Sequence, residues 1–153
     1  MIISKYIEID MGHRVPNHKS KCRNLHGHRY KIEVGVNDKV VDKKGSSDEG
    51  MVIDFSDLKA VMMQELDEKF DHGFVISSDD DLLSDFQHYR DGLGMKIIEV
   101  DFIPTAENLA KYWFELMEPK LAERGVKLFY VTIWETPSST AQYRLLDKET
   151  SDA

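Results

Sequence analysis

The sequence predicts an α+β fold, a mostly antiparallel sheet with helices covering one face, and three observations point to it. His26 to Val36 alternate strictly, with His26, His28, Tyr30, Ile32, Val34 and Val36 on one side and Gly27, Arg29, Lys31, Glu33 and Gly35 on the other. That period of two belongs to a half-buried strand. Two other segments place apolar residues at helical spacing, and the elements run as two strands, a short strand, a helix, a strand, a helix and two strands. Helices arriving between groups of strands fit an α+β arrangement better than a doubly wound one. With 153 residues, 41% of them hydrophobic, the chain suits one domain over residues 1–153 with a core of its own.

In the first strand Ile3, Ile7, Ile9, Met11, His13 and Val15 share a face interrupted only by Lys5, so His13 points inward. The second strand is His26 to Val36. Asp38 to Gly50, rich in Lys, Asp, Ser and Gly, reads as a long hairpin loop before a short strand, Met51 to Phe55. Ser56 is the expected N-cap of a helix with Leu58, Val61, Met62, Leu66 and Phe70 on one stripe, ending near Asp71-His72-Gly73. Ser77 to Gly94, with the acidic run Asp79, Asp80 and Asp81, reads as a solvated excursion without the spacing of a calcium loop. A strand at about Lys96 to Phe102 follows. Thr105 then caps a second helix carrying Leu109, Trp113, Leu116, Met117 and Leu121, with Pro119 placed to bend or shorten it. The last strands are Val126 to Glu135 and about Ala141 to Leu146.

Composition narrows the function classes. A net charge of −8 argues against general nucleic-acid binding. One cysteine cannot form an internal disulfide, and neither a secretory leader nor a long apolar stretch opens the chain, so the expected location is the cytoplasm, without membrane contact. The charge is nonetheless uneven. From Met11 to Ile32 there is no acid, while Arg14, Lys19, Lys21, Arg23, Arg29 and Lys31 form a cationic island suited to a small anionic substrate.

The histidines lie in that island. His26 and His28, two apart on a strand, project the same way, and His13 continues the inward face of a second strand. Together they make an open metal site with a coordination position left for chemistry. Zinc is the first choice, with nickel, cobalt and iron able to use similar ligands. Cys22 is a fourth ligand, a nucleophile or base, or simply a small buried hydrophobe. Its polar loop, Asn17 to Asn24, and its neighbours Lys21 and Arg23 favour the reactive readings. Asp71 and His72 form a possible proton relay. Glu135 extends the apolar face of Phe129, Val131 and Ile133, and a carboxylate there is costly unless something pairs with it.

Taken together, CxxxHGH at Cys22 to His28, preceded by His13, resembles the family of 6-pyruvoyl-tetrahydropterin and 6-carboxy-tetrahydropterin synthases. The segments Gly50-Met51-Val52-Ile53-Asp54-Phe55, Asp71-His72, Pro104-Thr105-Ala106-Glu107-Asn108 and Glu135-Thr136 extend the resemblance, in order, over nearly the whole chain. It implies a tunnelling fold: a four-stranded antiparallel sheet backed by two helices, with subunits joined into β-barrels as a homohexamer of two trimers and sites formed between subunits.

By the same resemblance His13, His26 and His28 hold one zinc per subunit, Cys22 is the catalytic acid/base, Asp71 and His72 tune it, and Glu135 anchors the pterin. Thr105 and Glu107 assist near the ring, and Lys21 and Arg23 are the choices for the triphosphate. The implied reaction takes 7,8-dihydroneopterin triphosphate to 6-carboxy-5,6,7,8-tetrahydropterin, acetaldehyde and triphosphate, toward 7-deazaguanine compounds such as queuosine. Three residues between Cys22 and His26 resemble the carboxy branch; a longer spacer marks the pyruvoyl branch. The alternatives are 6-pyruvoyl-tetrahydropterin synthase activity and a non-catalytic zinc- or pterin-binding protein. A zinc hydrolase lacks its expected carboxylate base, such as an HExxH helix.

Overall fold

The computed structural model describes residues 1–153. Strands β1 (Ile2–His13) and β2 (His26–Asn37) pair antiparallel along their full length, with Met11 opposite His28 and His13 opposite His26. This register is one that parity allows. A slip of one residue would turn one strand's apolar face to the other side, and the observed register keeps both faces together with the histidines meeting at one end.

Beyond β2 the sheet continues antiparallel through β5 (Leu128–Thr136) and β6 (Ser139–Arg144). On the other side, β3 (Phe74–Ser77) and β4 (Ile97–Val100) are added in parallel. The order is β4-β3-β1-β2-β5-β6. The sheet is therefore six-stranded and mixed, which corrects the expectation of four antiparallel strands. Phe74–Ser77 pairs with strands on both sides, and its four residues are too few for any period to announce it.

Asp54 rather than Ser56 is the N-cap of α1 (Phe55–Met62), its carboxylate accepting the Ser56 N–H at 2.6 Å. The expected strand from Met51 to Phe55 does not form; Val52 is buried as part of the turn into this helix. Helix α1 runs on through a π-helical turn, Met63–Asp67, into the single turn α2 (Glu68–Phe70), burying Leu58, Val61, Met62, Leu66 and Phe70 as its stripe requires. Helix α4 (Ala106–Ala122) is capped by Thr105, whose hydroxyl accepts the Asn108 N–H at 3.4 Å, and it passes through Pro119 to Ala122. These helices cover one face of the sheet. A core of 25 buried residues, including Trp113, Phe114, Phe70, Tyr30 and Ile32, lies between them.

The segment read as an irregular excursion contains α3 (Leu83–Leu93), closed by Gly94 in the left-handed region at φ 69°. Its Phe86 meets Phe74 with ring centroids 4.7 Å apart, and Phe86 and Ile76 are buried outside the main core. Phe74 and Ile76 alternate with Val75, which does belong to that core, so α3 covers the reverse face. Helices thus occupy both faces at this end of the sheet. A short α5 (Leu145–Ser151) follows β6. No helix is long and apolar enough to cross a membrane.

Candidate metal centre

The paired ends of β1 and β2 bring His13, His26 and His28 together, with one ligand nitrogen from each lying within 4.8 Å of the others. His13 is 1% exposed, and its Nδ1 donates to the Pro104 carbonyl at 2.7 Å, because a carbonyl can only accept. Its Nε2 is thereby left with a lone pair, and that buried nitrogen has no hydrogen-bond partner. Burial drives the pKa of His13 down to about 4, and His26 and His28 add to the effect against the Pro104 hydrogen bond. The ring is neutral. His26 Nδ1 donates to the Asn24 carbonyl at 2.7 Å, which fixes the same tautomer. Burial also lowers the pKa of His28, with Glu135 opposing and His26 adding to the shift. A ring held through Nδ1 with Nε2 presented, as His13 and His26 are, is the form in which an imidazole binds a metal, so the residues present fit an ion.

Tyr30, next along the face of β2, lies under the cluster, its ring centroid 5.9 Å from that of His13 and 5.5 Å from that of His28. Glu135, near the end of β5, places Oε1 3.4 Å from His13 Nε2 and 3.6 Å from His28 Nε2. Both separations exceed a good hydrogen bond, and a neutral His13 makes no ion pair. A cavity of about 480 Å3 lined by Glu8, His28, Arg29, Lys31, Trp134, Glu135, Thr136 and Pro137 opens beside them.

Cys22 sits half-buried in a single 3-10 turn, Lys21–Arg23, with its carbonyl accepting the Val15 N–H at 2.9 Å. It is not part of the histidine group. Asp71 and His72 are a pair: His72 Nδ1 donates to Asp71 Oδ2 at 2.7 Å, and Asp71 Oδ1 accepts the Asp10 N–H at 2.9 Å. Burial alone would raise the Asp71 pKa, but the Asp10 N–H and His72 outweigh it and hold the carboxyl below its ordinary value. His72 takes the left-handed conformation at φ 58°, pinned by its N–H to the Asp10 carbonyl at 2.7 Å. Its exposed ring lines a second cavity of about 700 Å3, with Asp10, Gly12, Gly27, Arg29, Phe74 and Met95 among the walls. His28 lines both cavities, whereas Cys22 lines neither.

The cationic island is partly spent inside the chain. Arg14 binds the buried Asp80 at 2.7 Å and also Asp81, Arg29 grips Asp10 at 3.0 Å, and Lys31 lies over the rings of Tyr6 and Trp134 at 4.1 and 4.6 Å. Lys19, Lys21 and Arg23 are exposed and stand in no ion pair. Thr105 spends its hydroxyl on the α4 cap and Glu107 is exposed; neither lines the cavity beside Glu135. The residues that sequence reasoning missed are the carbonyls of Pro104 and Asn24, which aim two of the imidazoles. Backbone groups leave no trace in residue identity, although the Pro104-Thr105 run had marked the place.

The family model for 6-pyruvoyl tetrahydropterin synthase matches residues 2–145. The chain belongs to that family. Among similar chains, the 6-carboxy-5,6,7,8-tetrahydropterin synthase of Haemophilus influenzae is 32% identical, over 93% of this chain and 97% of its own. The enzyme of the same name from Aquifex aeolicus is 35% identical, over 93% and 96%. Of solved structures, an uncharacterized protein from Wolinella succinogenes superposes with TM-score 0.75 at 27% identity, covering 95% of this chain and 99% of that one. The Caenorhabditis elegans 6-pyruvoyl tetrahydropterin synthase gives TM-score 0.66 at 26% identity, with 94% of each chain covered.

Proposed function

We propose that this member of the 6-pyruvoyl tetrahydropterin synthase family is a 6-carboxy-5,6,7,8-tetrahydropterin synthase, converting 7,8-dihydroneopterin triphosphate with release of acetaldehyde and triphosphate. The observation that carries the reading is the convergence of three imidazoles, two of them aimed by backbone carbonyls, beside the Glu135 carboxylate and a cavity. Relatives of that name, at 32 to 37% identity, support the carboxy product. So does the short spacer that runs from Cys22 through one 3-10 turn into His26.

His13, His26 and His28 hold zinc, which when bound supplies Lewis acidity toward the side-chain hydroxyls of the substrate. Glu135 accepts hydrogen bonds from the ring N3 and the 2-amino group, fixing the pterin in register with the histidines. Cys22 exchanges protons at the adjacent side-chain carbons. Asp71 holds the Nδ1 proton of His72, so that Nε2 is the atom that takes or gives a proton. Lys21 and Arg23, exposed beside Cys22, meet the triphosphate.

Subunits assemble as a homohexamer of two trimers. The support is that Cys22 does not line the cavity that His72 lines within one chain. A neighbouring subunit then brings Asp71 and His72 to Cys22.

Incubating the zinc-loaded protein with dihydroneopterin triphosphate and weighing the products tests the assignment. Acetaldehyde and the carboxy pterin are expected. A 6-pyruvoyl product would replace the branch and leave the site intact, whereas no turnover at full zinc occupancy would sink the enzymatic reading.

A further inference from the structure

Glu135 presents a contradiction that the pterin alone does not resolve. Its Oε1 stands 3.4 Å from His13 Nε2, a nitrogen whose lone pair faces it because Nδ1 carries the ring proton. A carboxylate oxygen and an imidazole lone pair repel each other at that distance. A shared cation removes the repulsion.

The spacing fits the same answer. Zinc takes nitrogen at about 2.0–2.1 Å and carboxylate oxygen at about 2.0–2.2 Å, so two donors on one tetrahedral ion stand about 3.3–3.5 Å apart. The 3.4 and 3.6 Å from Oε1 to His13 and His28 match that separation, whereas Glu135 stands outside the group that the three imidazoles form by themselves, so its side chain has to close toward His26 to complete the set. A hydrogen bond to either ring would be shorter.

Resting on the assignment of the three histidines as the metal site, we propose that Glu135 is the fourth ligand of the ion in the substrate-free protein, and that it leaves the ion when the pterin ring arrives. One carboxylate then serves two partners in turn. It closes the site against adventitious ligands at rest, and it opens a coordination position only as it takes hold of the ring. Opening of the metal is thereby coupled to correct docking of the pterin.

The coupling has a thermodynamic signature, because an ion and a ring that compete for one carboxylate must weaken each other's binding by the same factor. Unsubstituted pterin, which has no side-chain hydroxyl to offer the metal, isolates the effect. The metal-free protein should bind it about tenfold more tightly than the zinc-loaded protein, read by fluorescence titration; equal affinity, or tighter binding to the loaded form, would overturn the exchange.

Cobalt titration against a competing chelator tests the ligand itself. Glu135→Gln, of nearly the same shape, should bind cobalt on the order of 10- to 100-fold more weakly and change its visible bands. Glu135→Asp, which keeps a carboxylate on a shorter arm, should fall between. Wild-type affinity and unchanged bands in a folded Glu135→Gln would remove Glu135 from the ion while leaving the histidine site standing. A wild-type protein that takes up no cobalt would instead bring down the metal site on which the proposal rests.

Discussion

At the scale of single residues, the division between metal holders and proton movers is open to test. His28→Ala should lose bound zinc, measured by metal content after dialysis. Cys22→Ala should keep zinc near the wild-type level yet turn over about 100-fold more slowly or worse, as expected when a general acid/base is removed. Loss of metal from Cys22→Ala would make the cysteine a ligand. His13 adds a pH dependence. Its folded pKa of about 4 lies below the ordinary value of 6.5, so between those limits the unfolded chain binds a proton that the folded chain refuses. Stability of the metal-free protein is therefore full above about pH 6.5 and is lost as pH falls toward 4. The His13 share of the loss between pH 7 and pH 5 is about 2 kcal/mol. Urea unfolding of wild type and His13→Leu at both pH values measures it, and equal losses would show that His13 is not the cause. The three histidines were legible because strand parity sorts residues by face. Their orientation was not, since it depends on carbonyls such as that of Pro104, 91 positions from His13.

At the scale of elements, legibility followed length and regularity. β1 and β2 run twelve residues each with alternating inward faces, and the stripe from Leu58 to Phe70 follows one continuous helical stretch, so their cores could be named. β3 has four residues, and α3 hides among acids because it buries only Phe86. A helix that contributes one side chain to a satellite cluster carries almost no periodic signal. The joint between β1 and β2 offers a prediction at this scale. A Cβ on Gly27 would stand 2.8 Å from the Met11 carbonyl oxygen, a backbone atom that cannot swing aside. Gly27→Ala should destabilise the fold by about 1–3 kcal/mol and weaken metal binding, because the strands part between His26 and His28. Chemical denaturation and chelator competition read the two effects; a neutral result in both would mean that the strand pair yields without disturbing the site.

At the scale of the whole molecule, the proposed assembly predicts that Cys22 of one subunit works with Asp71 and His72 of another, since Cys22 does not line the cavity that His72 lines. Mixing Cys22→Ala subunits with His72→Ala subunits, each inactive alone, should restore part of the activity, since some shared sites then draw both intact residues from different chains. Native mass spectrometry should find six subunits. Mixed oligomers that remain inactive would place the whole site within one chain.

The hydrogen bond from His13 to Pro104 also speaks to the order in which the protein is made. An imidazole at the end of the first strand is aimed by a carbonyl that enters just before α4, so the socket exists only after most of the chain has closed around its 25-residue core. Zinc fingers, by contrast, are unfolded until the ion arrives. An ion at this site would then come last: the stripped protein should keep its far-ultraviolet circular dichroism, and newly synthesised chains should fold without metal.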